Sequence, residues 1–162
     1  TVAANGHTSV EAEDGFRTSK DYHNWCKRDK IAGYSGNGYY VVEPDSGTRV
    51  HIRPMEMSPG IEIPLKFEHA GKYRLWLRMS GPDTSGNSVY VGLDRQEVQS
   101  GKRMTVKPGG WRWLGDYEQG SPVMIEITEP GDHTLHLWMR EDGVAIDRIL
   151  LTTDPDFVPR NP

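Results

Sequence analysis

Apolar and polar residues alternate with period two along most of the chain. "SVEAE" (9–13), "GYYVVE" (38–43), "RVHIR" (49–53), "IEIPLKFEH" (61–69) and "KYRLWLRM" (72–79) carry the pattern in the first half. "SVYVGLD" (88–94), "RMTVK" (103–107), "VMIEIT" (123–128), "HTLHLWMR" (133–140) and "VAIDRILLT" (144–152) continue it. Successive side chains on a strand point to opposite faces, so each segment predicts one buried and one solvated side. Turn residues separate the segments: Pro59-Gly60, Ala70-Gly71, "SGPDTSGN", "KPGG", Pro130-Gly131-Asp132 and Asp142-Gly143. Nothing holds a 3.6-residue apolar period for three turns. Many short strands at this spacing predict an all-β fold, an antiparallel sandwich or barrel. A single domain is expected over 1–154, with residues 155–162 of the closing "DPDFVPRNP" as a Pro-rich tail or the start of a linker.

Two stretches break the pattern. Residues 14–37, "DGFRTSKDYHNWCKRDKIAGYSGN", read as one long polar loop, yet carry Phe16, Tyr22, Trp25 and Tyr34. Loops of that length are uncommon in compact domains unless functional or disordered, and the aromatics argue against disorder. The last strand is apolar on both parities, as a strand covered on both faces would be, with Asp147 in its middle. A buried carboxylate needs a partner. Arg148 or Arg49 could supply it. So could a cation, because Glu11 and Glu13 stand two apart on the first strand, about 7 Å between Cα atoms on one face. Three carboxylates without His or Cys suit Ca²⁺, with loop carbonyls completing the shell.

Composition narrows the classes. The chain has 162 residues, enough for one domain with a core. A net charge of −4, from 19 basic and 23 acidic residues, argues against nucleic acid as a partner. No apolar run approaches the length of a membrane span, so no membrane partner is expected. The single cysteine, Cys26, excludes an internal disulfide.

"VEAEDGF" near the start, "GYSGNGYYV" (33–41), "AGKYRLWLRM" (70–79), "GGWRWL" (109–114) and "PGDHTLHLWMREDGVAIDRILL" (130–151) occur in that order over nearly the whole chain. In this the sequence resembles carbohydrate-binding modules of families 6 and 35, of the galactose-binding-like β-sandwich (jelly roll) group. The resemblance implies a structural calcium held by Glu11, Glu13 and Asp147. It also implies a sugar site on loops at one edge, with one aromatic before the "GGW" strand and one from the early loop. Trp111 and Tyr34 match those two. Related modules place Asn two residues before the last-strand acid, where this chain has Ala145; the nearby polar groups are Arg140, Glu141 and Asp142. That departure leaves room for a galactan or an anionic polysaccharide. Trp25 is the next aromatic candidate.

The resulting expectation is a non-catalytic module that binds a polysaccharide or oligosaccharide. It would be a monomer tethered to a polysaccharide-degrading enzyme, secreted or at the cell surface. Two other classes stay open. The acids Glu11, Glu13, Glu62, Glu126 and Asp142 could serve glycoside hydrolysis, although no pair has an identifying spacing. A protein-interaction or adhesion sandwich is equally compatible with the fold. Strands 72–79 and 133–140 each carry Trp and Arg opposite their aliphatic stripe, a second surface to consider for an extended glycan.

Overall fold

The computed structural model describes residues 1–3, 6–117 and 120–161; Pro162, the end of the expected tail, lies outside them. Two antiparallel sheets face each other, as the alternation predicts. The first joins β3 (Asn24–Arg28), β4 (Tyr39–Glu43), β15 (Ala145–Thr152), β6 (Gly71–Gly81) and β10 (Gly109–Leu114) in that order. β1 (His7–Glu11) pairs with β15 beside β4, and β13 (Met124–Ile127) pairs with β6 beside β10. The second sheet runs β2 (Phe16–Arg17), β5 (Gly60–Phe67), β14 (Gly131–Met139), β7 (Ser88–Leu93) and β8 (Gln96–Glu97), with β9 (Met104–Thr105) on β7. A small ribbon of β11 (Asp116–Tyr117) and β12 (Ser121–Pro122) stands apart.

The core lies between the sheets. Tyr73, Leu75, Leu77 and Met79 of β6 face Ile61, Ile63, Leu65 and Phe67 of β5 and Leu135, Leu137 and Met139 of β14, all buried. Each such aliphatic side chain contributes about 1.5–3 kcal/mol by leaving water. Their partners in sequence, Glu62, Pro64, Lys66, His136 and Trp138, fall on the opposite face of the second sheet.

Three expectations change. Residues 49–53 are not a strand. Arg49 makes one bridge to Glu141, and the chain then opens into the short helix α1 (Pro54–Met57), where proline is tolerated. The 14–37 segment is not one loop, since it contains β2 and β3. Its aromatics divide accordingly: Trp25 is buried, its indole N–H donating to Pro59 O at 3.0 Å, while Phe16 and Tyr22 are exposed. Finally, Glu13 is not on the first strand. β1 stops at Glu11, and Ala12–Asp14 form a 3-10 turn closed by Gly15 N–H to Ala12 O. Gly15 is needed there because a Cβ would stand 2.5 Å from Ile61.

Candidate functional site

Asp147 owes its setting to a β-bulge. On β15, Ile146 pairs with Met79 and Arg148 with Arg78, so Asp147 is an extra residue with no opposite number. The bulge explains why apolar residues occupy both parities around it. Arg78 Nη1 donates to Asp147 Oδ2 at 2.6 Å, and both side chains are buried. Ser35 adds two donors, its N–H to Oδ1 at 2.9 Å and its hydroxyl to Oδ2 at 3.1 Å. Arg78 also holds the Gly33 carbonyl at 2.8 Å. Asp147 is therefore neutralised by Arg78, neither Arg148 nor Arg49 being its partner.

The two glutamates, from β1 and the turn after it, bond to the same 33–37 loop. Ser35 Oγ donates to Glu11 Oε2 at 2.7 Å, and Asn37 N–H to Glu13 Oε1 at 2.9 Å. Gly36 passes between them at φ +62°, so close that a Cβ would meet both side chains. Glu13 Oε2 is buried with no hydrogen-bond partner. Burial, and secondarily the charge of Glu11, raise the Glu13 carboxyl against the pull of the Asn37 N–H. An orphaned carboxylate oxygen beside a second carboxylate fits a hard cation. Asp147 fits it less well, because its oxygens already accept three protein donors. Among the described residues no three His, Cys, Asp or Glu side chains converge on one point.

The edge expected to take sugar is filled. Trp111, Tyr34 and Ala145 do come together, but Tyr39 packs among them. Its ring meets Trp111 edge-on at 5.0 Å and lies 5.9 Å from Tyr34. Trp111 is buried, its indole N–H directed at Ile31 O, and the Arg78 guanidinium lies 5.7 Å from its ring. A second bulge lies between Gly109 and Arg112, and Trp111 is covered on the outer face of the first sheet by Ile31, Tyr34 and Tyr39. Asn161 of the tail closes the edge, donating to Trp111 O at 3.0 Å and accepting from Arg78 Nε. Trp111 is thus a packing residue instead of the open platform expected; Tyr34 alone of the pair keeps partial exposure.

Arg140, Glu141 and Asp142, the polar groups expected beside the sugar, are engaged within the protein. Asp142 is fully buried and accepts from His23 Nε2 at 2.8 Å, Ser46 N–H and hydroxyl, and the N–H groups of Gly47 and Thr48. Burial opposes its ionisation, but these hydrogen bonds prevail and hold the carboxyl below its usual range. Glu141 is buried against Arg49 and the Ser88 hydroxyl, and Arg140 bonds Ser88 Oγ at 2.9 Å. Glu141 and Asp142 strap residues 46–49 to the end of β14, and Arg140 ties it to Ser88 of β7. Trp25, as shown above, is also inside.

An open trough crosses the outer face of the second sheet. At its centre Glu62, Arg95, His136 and Trp138 line a cavity of about 270 Å³, extended on one side by Asp94 and Thr134. Trp138 lies flat on the sheet because β5 and β7 present glycines beneath it. A Cβ on Gly60 would come within 3.0 Å of the indole, and one on Gly92 would overlap it. His136 stacks beside Trp138 at 5.1 Å and 15°. Burial lowers the His136 pKa, and Arg95 N–H donates to its Nε2, so the ring is held neutral. The single surface expected from strands 72–79 and 133–140 does not form: β6 and β14 belong to different sheets, so Trp76 and Trp138 lie on opposite outer faces, and β14 meets β5 here instead.

A family model of the glycosyl hydrolase family 115 C-terminal domain matches residues 2–157. The chain belongs to that family. It is 29% identical, over 176 aligned residues, to an uncharacterized protein of Formosa agariphila, covering 94% of this chain and 42% of that one. The chain thus spans less than half of that relative. Among solved structures, a GH26-CBM35 β-(1,4)-mannanase of Podospora anserina superposes with a TM-score of 0.66 at 18% identity, covering 98% of this chain and 29% of that one. A family 35 carbohydrate-binding module of Clostridium thermocellum gives 0.64 at 14% identity, covering 92% and 99%. At such identities the likeness establishes the fold. This family 115 C-terminal domain accordingly has the family 35 sandwich, as the order of its motifs led one to expect.

Proposed function

We propose that this domain is a non-catalytic carbohydrate-binding module, joined to a glycoside hydrolase and holding that enzyme's polysaccharide outside the cell. The observation that carries the reading is the open trough on the second sheet. Glu62 and Asp94 accept from hydroxyl pairs there and Arg95 donates, above Trp138 and His136, whose stacked rings are packed against the sheet and almost wholly buried. From Thr134 to Trp138 the strand runs about 13 Å, room for an extended chain. A galactan or an anionic polysaccharide is the ligand class proposed. Calcium belongs to the same reading, held by Glu11 and Glu13 and adding a fixed charge that ties the 33–37 loop to the first strand. The proposed state is a monomer tethered to its catalytic partner.

Native gels cast with galactan, carrageenan, xylan or mannan test the reading. At least one polysaccharide should retard the domain without release of reducing sugar, and Glu62→Ala combined with Arg95→Ala should abolish the retardation at unchanged melting temperature. Reducing sugar released by the domain alone would contradict the non-catalytic role. A folded domain retarded by none of the four would favour an interaction module.

A further inference from the structure

A second depression lies around the rim from the trough, separated from it by Lys20, which borders both. It has a volume of about 490 Å³ and is walled by Tyr22 and His23 on one side and the 48–53 segment on the other. Tyr22 is the informative residue. The residue is 59% exposed, yet its ring is fixed at two points. One face rests on His23, with ring centroids 4.3 Å apart, and its hydroxyl meets Thr48 Oγ1 at 3.3 Å. Thr48 Oγ1 in turn meets Ser46 Oγ at 3.1 Å, which donates to Asp142, and Asp142 holds His23. A closed circuit of five side chains, anchored on a buried carboxylate, therefore holds an aromatic ring open to water.

Soluble proteins have little reason to immobilise a tyrosine in this way unless its free face meets something. A rigid aromatic loses little conformational entropy on binding, which is why such rings dominate small recognition sites. The opposite wall supplies both an apolar surface, with exposed Ile52 and Met57, and polar groups in Arg49, His51 and Arg53. Arg53 and Asp21, on the two lips, both have positive φ (49° and 53°) without being glycine. Strain of this kind persists where surrounding contacts over-determine the backbone, and it clusters at ligand clamps. An apolar ring face with hydrogen-bond donors around its rim is the complement of a sugar ring, whose C–H faces are apolar and whose edge carries hydroxyls.

We propose that this cavity is a saccharide subsite, taking one pyranose ring against the free face of Tyr22 with its hydroxyls bonded by Arg49 and His51. The inference rests on the carbohydrate-binding reading and adds a place to it. It makes the filled edge at Trp111 unnecessary for recognition by an aromatic ring.

Affinity gels containing galactan, xylan or mannan separate the possibilities when four proteins are run together: wild type, Tyr22→Ala, Tyr22→Phe and the trough variant Glu62→Ala/Arg95→Ala. On a polysaccharide that retards the wild type, Tyr22→Ala should weaken binding tenfold or more while melting as the wild type does. Tyr22→Phe, which keeps the ring, should bind within twofold of wild type. Wild-type binding by Tyr22→Ala on each retained polysaccharide overturns the subsite, and loss in the trough variant would leave the broader reading standing. Equal loss in Tyr22→Phe and Tyr22→Ala also overturns it, because the hydroxyl and not the ring would then matter. A wild type retarded by none of the three, nor by carrageenan, overturns the carbohydrate reading, and the subsite with it.

Discussion

The guanidinium of Arg78 lies 2.6 Å from the Asp147 carboxylate in the first sheet, and neither side chain reaches water appreciably. The pair joins two central strands at the point where one of them bulges. Each charge is tolerable there only because of the other. Removing one partner leaves the other buried and uncompensated, which costs about 3–5 kcal/mol. Arg78→Met and Asp147→Asn should each lose stability of that order in urea, and the double variant clearly less than their sum. Strict additivity would mean that Asp147 finds its counter-charge elsewhere.

The metal reading makes a separable forecast. A cation bound only by the folded chain at about 100 times its dissociation constant adds roughly 2.7 kcal/mol. Each kcal/mol moves the midpoint of a domain this size by about 2–4 °C. EDTA should therefore lower the melting temperature by several degrees, with Ca²⁺ restoring it and Glu13→Gln abolishing the response. Because Arg78 already satisfies Asp147, Asp147→Asn should be less stable yet still respond to Ca²⁺. An unchanged wild-type melt with EDTA, and no metal by elemental analysis, removes calcium.

Trp111→Ala distinguishes packing from recognition. Truncating a large buried aromatic costs about 3–5 kcal/mol. The melting temperature should drop markedly, and the protein that stays folded should bind polysaccharide as the wild type does. A stable Trp111→Ala with lost affinity would return the sugar to the 34/111 edge.

His133 predicts a pH dependence. Its Nδ1 lies 2.6 Å from Asp94 Oδ2 and its Nε2 lies 2.8 Å from Glu129 O, two acceptors that favour the doubly protonated ring. The Asp94 hydrogen bond, opposed by burial and aided by the Glu129 carbonyl, raises its pKa. A raised folded pKa contributes stability that is complete below the unfolded value of about 6.5 and is lost as pH rises through the folded one. The melting-temperature gap between wild type and His133→Asn should be widest below about pH 6.5 and shrink on the alkaline side. A gap that widens with pH contradicts the assignment.

The fold was legible because period two is a direct image of a sheet with one wet face, as Ile61, Ile63 and Leu65 illustrate against Glu62 and Pro64. The site was less so. Parity assumes a regular strand, and both residues on which the reading turned, Trp111 and Asp147, lie at bulges that shift parity locally. The partner of Asp147 could not be found by adjacency either: Arg78 is 69 residues away in the chain and next to it only through strand pairing. Glu141 and Asp142 looked like an ordinary turn. What buries them is the 44–50 segment, whose docking depends on backbone N–H groups that leave no trace in residue identity. Tyr22 was visible as an aromatic in a polar stretch, but its fixation by His23 and Thr48 is a tertiary fact.

The place of β15 in the first sheet has a consequence for assembly in time. The last strand to be made lies in the interior of that sheet, with β6 along one side and β4 and β1 sharing the other. Until it emerges, β1 has no partner in the sheet, and β6 presents an unpaired edge. Contacts between residues as distant as His7 and Thr152 are slow to form because the intervening loop must first be closed. The seven-stranded sheet therefore assembles around its C-terminal strand, after synthesis of the domain is complete. A nascent chain stopped before residue 145 would leave the edge of β6 unpaired, a target for chaperones or for pairing with another copy.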